Sequence, residues 1–189
     1  MKVAYSRQRL STRVAQLGRA ITKDYAGRTL DVVVILQNAF LFGADLVRQI
    51  SLPVVCHFVR SEVREVRMGG YDRREIFFSP PPSLAGRDVL IVDAVLHSGV
   101  TQEFLIRHLE EGRPRSLRLA VLFDKSQERK VNVQPEYTGF AAASKLWVGY
   151  GLAGRKGIFR NLPYVGTAAS PARAARRLRS RRQRRKKGS

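Results

Sequence analysis

Cysteine is almost missing from this chain. Cys56 stands alone, so no intrachain disulfide can form and a cysteine-built metal cluster is excluded. That usage fits a reducing compartment. No apolar run approaches the length needed to span a bilayer. The opening residues, MKVAYSRQRLSTRVAQLGRA, carry the pattern of an amphipathic helix and lack the unbroken apolar centre of a signal peptide. A cytoplasmic location and no membrane partner are therefore expected. Acid is scarce as well: 15 Asp and Glu face 35 Lys and Arg, for a net charge of +20.

What is present divides unevenly. Residues 170–189, SPARAARRLRSRRQRRKKGS, hold ten Lys or Arg and no acid. Taking those ten from +20 leaves about +10 on the remainder, so the body is basic in its own right. Such a field favours anionic partners: phosphorylated metabolites, an anionic membrane surface, or nucleic acid through residues 170–189. Ten like charges with little apolar content predict a disordered tail. The 44% apolar share and the 189-residue length suit one domain, expected over residues 1–169.

Along that body, short apolar runs alternate with helical spacing. Leu10, Val14, Leu17 and Ile21 recur as one helix face, with Ser11 or Thr12 near its start. Strands are predicted at Asp31 to Leu36, Pro53 to Val59, Val89 to Val92, Leu117 to Phe123, Tyr137 to Phe140 and Leu146 to Tyr150. Helices are predicted at Phe40 to Ile50 and Thr101 to Glu111. The charged stretch after Val59, broken by Gly69-Gly70 and Pro80-Pro81-Pro82, reads as a mobile excursion built on a hairpin. Alternating strands and helices imply parallel pairing by right-handed crossovers, hence an α/β sheet covered on both faces. In such sheets ligands bind beyond the carboxyl ends of the strands. Three loops lie there: Gln37-Asn38-Ala39, Asp93 to Thr101, and Asp124 onward.

The second loop reads DVLIVDAVLHSGVT from Asp88. Gly99 allows a backbone conformation closed to other residues. The amides from His97 through Val100 to Thr101 can then converge on an anion at a helix amino end, with hydroxyls from Ser98 and Thr101. The plainer alternative is a strand-to-helix turn in which Ser98 only caps the helix.

A strand, an acid, then Ser-Gly-x-Thr opening a helix resembles the phosphoribosyl-diphosphate loop of type I phosphoribosyltransferases. The likeness continues through LFDKSQERKVNVQPEYTGF, LWVGYGL and FRNLPYVG, and through RVAQLGRAITKDY with VVVILQNAFLFGADLVRQI. Together they cover Tyr5 to Gly166 and are similar to bacterial hypoxanthine phosphoribosyltransferases. The resemblance implies the type I phosphoribosyltransferase fold: a twisted, mainly parallel sheet with helices on both faces and a small hood or lid. It implies phosphate binding by His97 to Thr101, ribose binding by Asp93, and recognition of a purine's exocyclic oxygen by Lys125. It puts backbone groups of Val148 at the base edge, with Trp147 either stacking on the purine or filling the core. Arg160 would face pyrophosphate, beside the Gln37-Asn38 loop. The partners implied are a purine nucleotide or phosphoribosyl diphosphate, and further copies of the chain in a homo-oligomer.

The chain departs from that pattern in its acids. Members carry a second acid after the first, where this chain has Ala94. They carry an aspartate, credited as the general base at the purine's N7, where His97 stands. A later aspartate that helps bind magnesium is replaced by Ala153. Gln37-Asn38 occupies the place of a Lys or Arg followed by Gly, and the lid has Ser61-Glu62 in place of a Ser-Tyr pair. Magnesium is held by hard oxygen ligands, so no residue here is assigned to a metal. Any Mg²⁺ would come through substrate and water. His97 is a candidate general base, since an imidazole suits proton transfer near neutral pH. Losing two or three effects of about 10² each leaves a very slow enzyme. The expectation is a nucleotide-binding relative with weakened or lost purine salvage, a pseudoenzyme at the limit. The alternatives are a working hypoxanthine or guanine transferase and a nucleic-acid-associated protein. His57, His108 and the lid arginines Arg64, Arg67, Arg73 and Arg74 read as ordinary surface or structural groups.

Overall fold

The computed structural model describes residues 1–68, 71–78, 83–143 and 147–167 (backbone alone over 61–68, 71–78 and at 155). Residues 170–189, Pro80 to Pro82 and Leu146 lie outside the described residues. The side chains of Ser61, Glu62 and the four lid arginines do so too.

Six strands form the main sheet in the order β4-β3-β2-β5-β6-β7. The central strands β2 (Leu30–Leu36) and β5 (Asp88–Leu96) are buried along nearly their whole length. That is why their centres, Val32 to Ile35 and Val89 to Val92, read as continuous apolar runs, as parallel strands covered on two faces do. β2 pairs in parallel with β3 (Val54–Met68) and with β5. β5 pairs in parallel with β6 (Ser116–Asp124), and β6 with β7 (Tyr137–Ala141). β3 runs on past the predicted Val59 and turns into β4 (Tyr71–Phe78), its antiparallel partner at the sheet edge. The described parts of the charged excursion thus pair as the two arms of a hairpin, while Gly69-Gly70 lie outside the described residues.

The helices divide between the faces. α1 (Arg7–Asp24) buries Leu10, Val14, Leu17 and Ile21 in a core shared with α2 (Phe40–Val47) and with Val32, Val34, Leu90 and Val92. α3 (Val100–Glu111) buries Leu105 and Leu109 on the opposite face, against Val33, Ile35, Val89, Ile91 and Leu119. α1 begins earlier than predicted. Its N-cap is Ser6, whose side chain accepts a hydrogen bond from the Arg9 amide at 3.3 Å, so the expectation of Ser11 or Thr12 is corrected. α2 stops at Val47, short of the predicted Ile50.

A second, three-stranded sheet joins β1 (Lys2–Tyr5), β9 (Val165–Thr167) and β8 (Trp147–Val148). β1 and β9 pair antiparallel, so the two ends of the described body meet. Neither was predicted, since four and three residues are too few to show a period.

Candidate functional site

Beyond the carboxyl ends of β2 and β5 lies a pocket of about 240 Å³. Ile35, Leu36 and Asn38 line one side; Asp93, His97, Ser98, Thr101 and Gln102 line the other. Two of the three loops singled out in the sequence thus meet in one place.

The wall at α3 is set by Gly99, which caps that helix in the left-handed region at φ 84°. A side chain there would also have no room: a Cβ would stand 2.9 Å from Val131 Cγ2 and 3.0 Å from Arg129 Cδ. Backbone hydrogen bonds fasten this loop to the segment after β6. The Lys125 amide donates to Leu96 O and the Lys130 amide to Ser98 O, both at 2.9 Å. Arg129 is fixed behind the loop by its ion pair with Asp124. The turn is held open on the pocket side and braced on the other.

Asp93 is 7% exposed. Its Oδ1 accepts from the Ala94 amide at 2.6 Å, and its Oδ2 accepts from Gln102 Nε2 at 2.5 Å. Burial in a low dielectric raises its pKa to about 6, against the opposing pull of the Gln102 and backbone hydrogen bonds. Ala94 is fully buried among the apolar residues of the α1 face. Gln102, which the sequence reading missed, belongs to the stripe Gln102, Leu105, Leu109 that α3 turns inward. A polar residue on that stripe was the available signal.

His97 does not stand alone. Its Nε2 meets the Glu128 carboxylate at the end of a 3₁₀ turn, Ser126–Glu128. The other oxygen of Glu128 faces Lys125 Nζ at 3.9 Å. That ammonium in turn lies 5.8 Å from the centroid of the Trp147 ring. Glu128 was also missed, and no local pattern could have linked it to a histidine 31 positions away.

Trp147, expected either to stack on a purine or to fill the core, does the second. It is 6% exposed and meets Phe123 and Tyr5 edge-on at 4.6 and 5.4 Å between centroids. Those edge contacts place it in a packed aromatic cluster, with Lys125 Nζ over the ring. Val148 is fully buried beside it.

Arg160 grips the Gln37-Asn38 loop. Its Nη1 donates to Asn38 Oδ1 at 2.7 Å and to Gly151 O at 2.5 Å, and its Nη2 to Gln37 Oε1 at 3.3 Å. The peptide bond before Gln37 is cis. The expected pyrophosphate residues are thus together, with the guanidinium already bound to both loop amides.

The carboxylates do not fit a protein-held divalent cation. Among the described residues Asp93 is the only acid lining the pocket, and both its oxygens already accept hydrogen bonds. Among the described residues no cluster of three acids, histidines or cysteines could hold a metal ion. Nor does any described helix have the length and apolarity to cross a membrane.

Comparison with known proteins agrees with this geometry. Residues 5–152 match the phosphoribosyl transferase domain. A hypoxanthine-guanine phosphoribosyltransferase of Dictyostelium discoideum is 37% identical over 171 residues, covering 87% of this chain and 93% of the relative. One of Staphylococcus aureus is 32% identical over 152 residues, covering 80% and 84%. The crystal structure of a hypoxanthine-guanine phosphoribosyltransferase from Bacillus anthracis superposes with a TM-score of 0.78 at 28% identity, over 89% of this chain and 98% of that one.

Proposed function

This chain belongs to the phosphoribosyltransferase family, and from that premise we propose that it is a slow 6-oxopurine transferase. It binds phosphoribosyl diphosphate and hypoxanthine or guanine, and it releases the nucleoside monophosphate and pyrophosphate. The observation that carries this is a glycine-capped anion loop at the pocket, whose His97 lines it and is joined to Glu128 and, through it, to Lys125.

In this reading the amides from His97 to Thr101, with the hydroxyls of Ser98 and Thr101, hold the 5′-phosphate at the positive end of α3. Asp93 accepts from the ribose hydroxyls. Lys125 donates to the purine's exocyclic oxygen, which selects against adenine, whose amino group at that position is itself a donor. His97 takes the proton released by the base. Arg160 and the Gln37-Asn38 loop face the leaving diphosphate. Magnesium enters with the diphosphate as part of the substrate.

The missing acids set the rate. Ala94 and Ala153 offer no oxygen to ribose or to a substrate-borne metal, and two effects of about 10² would slow turnover about 10⁴-fold. A coupled assay with hypoxanthine, guanine and adenine tests this. The expected outcome is slow nucleotide formation from the two oxopurines and none from adenine. The close identity over nearly the whole Dictyostelium enzyme favours a second reading, an ordinary salvage enzyme. Turnover within about tenfold of a typical enzyme would establish that one instead.

A further inference from the structure

We infer that Glu128 is a positioning residue for His97, holding the imidazole so that Nδ1, not Nε2, is its proton-accepting atom. This rests on the reading of the pocket as an oxopurine transferase site, and it names the device that stands in for an aspartate base.

The two residues are brought together by backbone, not by chance contact of long side chains. Leu96 and Ser98, on either side of His97, accept from the amides of Lys125 and Lys130, on either side of Glu128. The pair therefore sits inside a short zipper between two loops. Within it, Nε2 is the imidazole nitrogen that meets the carboxylate. A carboxylate only accepts hydrogen bonds, so the neutral ring carries its proton on Nε2 and keeps its lone pair on Nδ1. The same carboxylate stabilises the imidazolium that forms when Nδ1 takes a second proton, as an acid behind a catalytic histidine does in hydrolases.

The transfer balances. The proton leaves the purine N7 for His97 Nδ1, and its bonding pair stays on the purine ring. N9 gives its lone pair to the anomeric carbon, and the carbon–oxygen bond to diphosphate breaks with its pair on the leaving oxygen. Glu128 is also shared with Lys125 at 3.9 Å, so one carboxylate orients both the proton acceptor and the donor to the exocyclic oxygen.

The chain has three histidines, so a His97→Asn variant suffices to assign the His97 resonances in the ¹⁵N spectrum of the full chain. The expected result is a neutral His97 with its proton on Nε2, becoming a tautomer mixture in Glu128→Gln and restored in Glu128→Asp. With hypoxanthine, Glu128→Gln should lower kcat about 10- to 100-fold with KM changed far less. A proton on Nδ1 in the unaltered chain, or a tautomer indifferent to Glu128→Gln, overturns the proposal. If Nε2 carries the proton and responds to Glu128, yet no nucleotide forms, the pair stands and the reading of the site as catalytic falls. Where Glu128→Gln fails to fold, Glu128→Ala, which also removes the carboxylate, carries the same comparison.

Discussion

Asp93 lies where burial and hydrogen bonding pull its carboxyl in opposite directions, and burial dominates. Its folded pKa of about 6 stands above the 3.8 of an ordinary aspartate. Between those values the folded chain keeps a proton that the unfolded chain has lost, so this group's contribution to stability falls as pH climbs through that window. Above pH 6 the buried charge opposes folding by roughly 2–3 kcal/mol relative to the protonated form. Asp93→Asn removes that penalty. Urea titrations should show the variant gaining on the unaltered chain between pH 4 and pH 7, and a constant difference across that range would refute the assignment. Lys125 makes a simpler claim. Losing a hydrogen bond from an ammonium costs about 1.5–3 kcal/mol, so Lys125→Ala should weaken binding of guanosine monophosphate roughly 10- to 100-fold by calorimetry. Adenosine monophosphate, whose amino group gains nothing from that donor, should bind no worse to the variant.

At the scale of elements, the turn from β5 into α3 carries the anion site, and Gly99 is its narrowest point. Alanine there meets both a left-handed backbone and the side chains of Val131 and Arg129. Gly99→Ala should cost about 1–3 kcal/mol and abolish phosphate binding followed by ³¹P NMR. Leu105→Ala, in the core beneath the same helix, should cost about 2–5 kcal/mol and leave phosphate affinity nearly unchanged. Much of this level was readable beforehand. The parallel sheet, the apolar stripe of α1 and the loop at Gly99 follow from apolar periodicity and glycine placement. What escaped has physical reasons. β1 pairs with β9, and β9 with β8, a long-range pairing with no local pattern. Gln102 reads as one polar residue on an apolar helix stripe until the carboxylate it holds is known. Glu128 acts across two loops whose register is set by backbone bonds that no side-chain pattern announces. Trp147 could be placed at the pocket or in the core by spacing alone, and its burial against the rings of Tyr5 and Phe123 depends on residues distant in sequence.

Across the whole molecule, charge and pocket ask for anions of different kinds. The pocket suits one phosphorylated small molecule. The net charge of +20 exceeds what such a ligand needs, and half of it lies in residues 170–189, beyond the catalytic body. A run of ten Lys and Arg without an acid binds polyanions by releasing their counterions, with little preference for sequence. For single-stranded RNA the logarithm of affinity falls against the logarithm of salt with a slope near −0.7 for each phosphate neutralised. Ten such contacts would give a slope of about −7. The full chain should therefore bind RNA tightly at about 50 mM salt and lose most of that affinity by about 200 mM. A chain ending at Ala169 keeps about +10, spread over a folded surface where few of those charges can reach one strand together. Its affinity should be lower and its slope shallower, while its oxopurine turnover stays the same. Equal affinity and equal slope for the two chains would place RNA on the body instead, and RNA would then compete with guanosine monophosphate at the mouth of the pocket. Turnover that falls with removal of residues 170–189 would tie the tail's charge to capture of the anionic substrate.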